Sequence, residues 1–148
     1  MRTHFQAILV LIAFILMALI LIAPATGAEG GDAVQWDSYA EEGTVEVTTT
    51  DEDGSARVTK VWLAVVDGQG YIRTGKTRWG GNLERNPELT LRIGETELPL
   101  RVEFVTDPTE RDAVKAALRA KHGFSDWILN PIRGKNPKIM RLVPREAQ

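Results

Sequence analysis

The sequence predicts a mainly β (α+β) fold, a small antiparallel barrel of six strands with one main helix (108–122) and short flanking helices. Three observations carry this. Six segments have strand composition, and most of them are joined by turns of a few residues. Only one stretch has both helix-start and helix-stop signals around an apolar stripe. No strand–helix–strand repeat occurs, which argues against a parallel sheet.

The first extended segment, Thr44 to Thr50, is rich in β-branched residues. The turn residues Asp51-Glu52-Asp53-Gly54 lead into Ala56 to Val66, which ends in the continuous apolar run Val61-Trp62-Leu63-Ala64-Val65-Val66. Such a run predicts a strand end buried on both faces. Asp67-Gly68-Gln69-Gly70 turns the chain into Tyr71-Ile72-Arg73-Thr74, completing a three-stranded meander. Gly75 to Pro87 breaks the strand pattern and reads as a loop with one or two helical turns stopped by Asn86-Pro87.

Leu89 to Ile93 resumes the sheet and Gly94-Glu95 turns it. Leu98, Leu100, Val102 and Phe104 then alternate with Pro99, Arg101 and Glu103, the mark of a strand with one buried face. Pro99 predicts that this strand begins at an edge. Asp107-Pro108-Thr109-Glu110 supplies an N-cap, a proline at N1 and an acid at N3, and Gly123 follows as a C′ glycine, so the main helix runs from Pro108 to His122. Val114, Ala117, Leu118 and Phe124 form its apolar stripe, and Trp127 is placed to anchor this region back onto the barrel. Ser125 to Asn136 reads as irregular or weakly helical, and Lys138 to Val143 as a last strand.

The chain has 148 residues, a formal net charge of −2 and no cysteine. Disulfides, Cys-ligated metals and thiol nucleophiles are therefore excluded. Ala7 to Ala23 is an unbroken apolar run of seventeen residues, preceded by Arg2 and followed by Pro24 to Ala28. It marks an export segment, either a signal peptide cut after Ala28 or a retained membrane anchor. Residues 1–28 are thus a targeting segment, 29–42 a tether and short helix, and 43–145 the folded domain, placed outside the cytoplasm.

Charge is uneven. Nine carboxylates and no base lie between Glu29 and Asp53, whereas nine Lys/Arg face only Asp112 and Asp126 between Arg111 and Arg145. The basic stretch is either an anion-binding face or the solvated side of a helix and loop. No nucleic-acid module is present, so a nucleic-acid partner is not expected.

Arg73, Thr74, Lys76, Thr77 and Arg78 lie within six residues, between Gly70 and Gly80-Gly81. Cations, hydroxyls and backbone N–H groups at a helix start are the groups that hold a phosphate, although a solvated turn has the same composition. Trp62, inside the apolar run, reads as core. Trp79, beside two glycines, fits ordinary packing as well as it fits a cofactor cover or a dimer seam. His122 is the one imidazole outside the export segment, and the helix dipole at its position favours the protonated ring. No arrangement around Tyr71, Ser125 or Asp126 announces acid–base catalysis.

The order of the Val61–Val66 run, Asp67-Gly68, Tyr71 to Thr74, Gly75-Lys76, Trp79, Asn82-Leu83, Asn86-Pro87 and Leu89 to Ile93 resembles the flavin-binding split-barrel superfamily. That superfamily includes pyridoxamine phosphate oxidases and deazaflavin-dependent nitroreductases, and the Trp79…Asn82-Leu83…Asn86-Pro87 run is similar to the second group. Where the deazaflavin branch has a basic Gly-Arg-x-Ser/Thr-Gly turn, this chain has Asp51-Glu52-Asp53-Gly54. The resemblance implies a split barrel that binds FMN or a deazaflavin coenzyme. The phosphate would lie at Arg73, Thr74, Lys76, Thr77 and Arg78, with the ring along Val61, Trp62 and Leu63 and Trp79 nearby. It also implies a homodimer and an oxidoreductase. The alternative is an exported binding module without redox activity, and haem ligation by His122 is a less favoured use of the same fold.

Overall fold

The computed structural model describes residues 33–133 and 136–145, with side chains described outside 124–133. The expected export segment at Ala7 to Ala23 and the side chains of Phe124 and Trp127 lie outside the described residues. Among those that are described, no helix is long and apolar enough to cross a membrane.

A 3-10 turn, Trp36–Tyr39, precedes six strands: β1 (Thr44–Thr50), β2 (Ala56–Val66), β3 (Gln69–Thr74), β4 (Glu88–Ile93), β5 (Thr96–Phe104) and β6 (Lys138–Pro144). Helix α1 (Arg78–Arg85) separates β3 from β4, and helix α2 (Pro108–Arg133) separates β5 from β6. All neighbouring strands are antiparallel and close a barrel in the order β1-β2-β3-β6-β5-β4, with β4 returning to β1.

The turns explain the meander. Val66 pairs with Gln69 across Asp67-Gly68, and both turn residues have positive φ, 49° and 69°. That is the pattern of a two-residue type I′ turn, whose twist matches the strands it joins. β5 begins as Pro99 implied: Thr96 to Pro99 pair only with β4, and pairing with β6 starts at Leu100. The proline therefore sits where no second neighbour needs its N–H.

The Val61–Val66 run has lost its alternation because both of its faces are covered. Val61, Leu63 and Val65 point into the barrel core with Val47, Ile72, Leu91, Leu100, Met140 and Leu142. Trp62, Ala64 and Val66 point outward into a second cluster with Tyr71, Val105, Val114, Leu118 and Ile139. Helix α2 lies over this outer face. Its N-cap is Asp107, which accepts from the backbone N–H of Glu110 at 2.8 Å. Glu110 in turn accepts from the Tyr71 hydroxyl at 2.7 Å and from Arg141, pinning the first turn to β3 and β6.

The helix does not end at His122. Gly123 breaks it with φ 45° and ψ −117°, and helical turns then continue to Arg133. One left-handed residue has redirected the helix, and Ser125 and Asp126, residue types suited to a first turn, follow directly.

The 3-10 turn closes one mouth of the barrel. Trp36 is buried against Gly70, where an added Cβ would stand 2.5 Å from the indole. Only glycine permits that approach. Lys121 ties the same segment to α2 by donating to the Ala40 and Glu42 carbonyls, and burial lowers its pKa.

Candidate functional site

The site grows from the end of β3. Arg73 follows Ile72, the partner of Leu63, and so takes the outward position beside Trp62. Thr74 ends the strand and is buried, its hydroxyl donating to the Gly75 carbonyl at 3.2 Å and meeting the Thr77 hydroxyl at 2.6 Å. Thr77 is the N-cap of α1 and accepts from the Gly80 N–H at 3.2 Å. The packing is close, since a Cβ on Gly80 would lie 2.8 Å from the Thr74 methyl.

Between this turn and the β1–β2 hairpin lies a cavity of ≈ 260 Å³. Of the predicted residues, Val61, Trp62, Arg73, Thr74, Thr77 and Trp79 line it. Gly75, from the Gly75-Lys76 pair, joins them, as do Thr44 and Lys60, which no sequence motif singles out. Their place is legible only once β1 pairs with β2 and sets Thr44 opposite Trp62. Leu63 is fully buried in the barrel core and is not among the residues that line the cavity. Lys76 and Arg78 are exposed and stand outside the lining residues.

Arg78 has another partner. Its guanidinium lies 3.3 Å from the carboxylate of Asp51, which is buried at 6% exposure. Asp51 also accepts from Arg57 Nε and Nη2 at 2.8–3.0 Å and from Asn82 Nδ2 at 2.6 Å. Asn82 reaches Thr49 as well, at 3.0 Å. These bonds from Arg57 and Asn82 hold the Asp51 carboxyl down at a pKa of about 2. The acidic turn is thus a structural counter-charge: it neutralises an arginine on the barrel wall and fastens α1 across the barrel's end.

Trp62 is half-buried and stacks flat on His122, with ring centroids 4.0 Å apart and planes 7° from parallel. It therefore belongs to the outer face under α2 and to the cavity wall, which corrects its reading as core. Trp79 is 7% exposed and packs into the barrel core while lining the cavity, so packing accounts for most of its surface.

Tyr71 has no place in the cavity. Burial and its bond to Glu110 push the phenol pKa up to about 12. Among the described residues of the basic stretch after Arg111, several cations are engaged within the chain. Arg111 donates to the Val105 and Pro137 carbonyls, Lys115 pairs with Asp112, Lys138 with Glu84, Arg141 with Glu110 and Arg145 with Glu88.

No protein-family model and no curated protein matches the sequence. Solved structures do match it in fold. The haem storage protein HutZ of Vibrio cholerae superposes with a TM-score of 0.57 at 16% identity, over 75% of this chain and 88% of that one. A conserved hypothetical protein of Mycobacterium tuberculosis does so with a TM-score of 0.57 at 20% identity, over 79% and 85%. An F420-H2-dependent reductase, FDR-A, gives a TM-score of 0.53 at 17% identity, over 69% and 94%. The chain has the split-barrel fold.

Proposed function

We propose that this chain works outside the cytoplasm as a split-barrel oxidoreductase that binds a phosphate-bearing aromatic cofactor, FMN or the deazaflavin coenzyme, and serves a small acceptor. The observation that carries this reading is the composition of one cavity: Val61, Trp62 and Trp79 on its walls, with the cations Lys60 and Arg73 among the same lining residues. An aromatic anion is the ligand class such a wall suits. Bound there, the cofactor supplies the hydride chemistry. The chain's own part is positional: Arg73 offers a planar fork of N–H donors to a phosphate, Lys60 a point charge, and the β2 main chain an edge along the ring. Export of the domain is supported by the apolar run at Ala7 to Ala23.

A second reading is a ligand-binding module without redox activity. It is favoured by the engagement of the Thr74 and Thr77 hydroxyls with the loop itself, and of Arg78 with Asp51, which removes three of the five expected phosphate contacts. The Trp62–His122 stack beside the cavity, together with the likeness in fold to a haem storage protein, makes haem the ligand to test.

Titrating FMN, the deazaflavin coenzyme and haemin into the full-length chain in mild detergent separates the readings. The oxidoreductase reading expects binding of one of the first two. It also expects a loss of roughly ten- to a hundredfold for each of Lys60→Gln and Arg73→Gln, with circular dichroism unchanged. Haemin binding alone establishes the module, and no binding of any of the three overturns both.

A further inference from the structure

The cavity has a neighbour on the far side of Arg73. In the strand register Arg73 pairs with Ile139 and Thr74 with Lys138, and the Ile139 carbonyl accepts from the backbone N–H of Val105 at 2.9 Å. Ile139, Lys138 and Val105, with Phe104, Arg111 and Glu84, line a second cavity of ≈ 180 Å³. Helix α1 borders both: Thr77 and Trp79, at its start, stand on the first cavity, and Glu84, near its end, stands on the second. From Trp62 through Arg73 and Ile139 to Val105 the row crosses three strand spacings, roughly 14 Å along the sheet.

The two ends hold different groups. The first has the Trp62 indole with the cations Lys60 and Arg73. The second has the apolar side chains of Val105 and Ile139, and its Phe104 is 40% exposed, an aromatic side chain left open to solvent at the end of β5. Between the two aromatic residues stands Lys138, beside Thr74 and paired with Glu84, with both partners half-exposed. An exposed pair of this kind contributes little stability, so its lysine is available to a stronger anion such as a phosphate.

We propose, resting on the oxidoreductase reading for the first ring and phosphate, that the cofactor is of the dinucleotide class: beyond the phosphate at Arg73 it carries a second phosphate, met by Lys138, and a second aromatic ring, stacked on Phe104. Aromatic, cation, cation, aromatic is the order of groups along the row, and it matches a molecule built as ring, diphosphate, ring. A mononucleotide ends at Arg73 and leaves Phe104 uncovered. Glu84 works against the second phosphate, because it repels that charge while holding the lysine that would meet it.

The test compares FAD with FMN by titration into the full-length chain in mild detergent. Wild type is expected to bind FAD about tenfold more tightly, the scale of one base stacked on an aromatic side chain. Phe104→Leu, which keeps an apolar side chain and removes the ring, should erase most of that advantage and leave FMN affinity unchanged, whereas Phe104→Trp should keep it. Glu84→Gln should tighten FAD severalfold, a gain that damaged folding does not produce. FMN or the deazaflavin coenzyme binding as tightly as FAD overturns the dinucleotide and leaves the oxidoreductase reading standing. Phe104→Leu weakening FAD and FMN by the same factor has the same meaning, as does a Glu84→Gln variant that gains nothing for FAD. Binding of neither flavin nor the deazaflavin coenzyme overturns both.

Discussion

The two halves of strand β2 are one continuous strand held by different physics. From Val61 to Val66 both faces are apolar and both are covered, one by the barrel interior and one by α2. From Ala56 to Lys60 the polarity is inverted: Arg57 points toward the barrel's end, where Asp51 neutralises it, while Val58 points to solvent. The first half is stabilised by burial, which does not depend on pH. The second depends on a carboxylate staying ionised.

Breaking the covered half gives the largest effect. Leu118 is fully buried between α2 and β2, so Leu118→Ala should cost about 2–5 kcal/mol in urea unfolding. The loss should be the same at pH 7 and pH 4. A loss that grows on acidification would mean that the two halves are not independent.

Acid sharpens the contrast from the other side. The Asp51 pKa falls from about 3.9 in an unfolded chain to about 2 in the fold. A group depressed in this way contributes its stabilisation fully above about pH 4 and loses it as pH falls through about 2. Asp51→Asn should therefore be less stable than wild type at pH 7, and the gap should close between about pH 4 and pH 2. A gap of constant size would show that the carboxylate's charge is not what holds Arg57 and Asn82.

The smallest effect belongs to the outward side of the ionic half. Val58→Ser should change the unfolding free energy of the monomer by no more than about 0.5 kcal/mol, because its side chain touches little within its own chain. A large loss of monomer stability would show that something else in this chain covers Val58.

Much of the barrel was legible because its signals are local. Alternation marks β5, the Asp67-Gly68 pair marks a tight hairpin, and Asp107-Pro108 marks the start of α2. The doubly buried end of β2 was legible as an unbroken apolar run, but what covers its outer face was not. Closure was beyond reach too, since β1 meets β4 and β3 meets β6 across more than forty residues. The site suffered most from this. Composition nominated the cations between Arg73 and Arg78, yet Arg78 is claimed by a carboxylate distant in sequence, and Lys60 enters the cavity from another strand. The continuation of α2 past Gly123 was missed because a C′ glycine ends a helix in the same way whether or not another begins.

The segment before β1 has a mechanical consequence. Tension applied through residues upstream of Ala33 meets the Trp36 indole seated against Gly70, and then the grip of Lys121 on the carbonyls of Ala40 and Glu42, before it reaches the first ladder bond of β1. The segment from Trp36 to Glu42 is thus built as a strain relief: a pull on its N-terminal side loads the Trp36–Gly70 contact and the middle of α2 before it reaches β1.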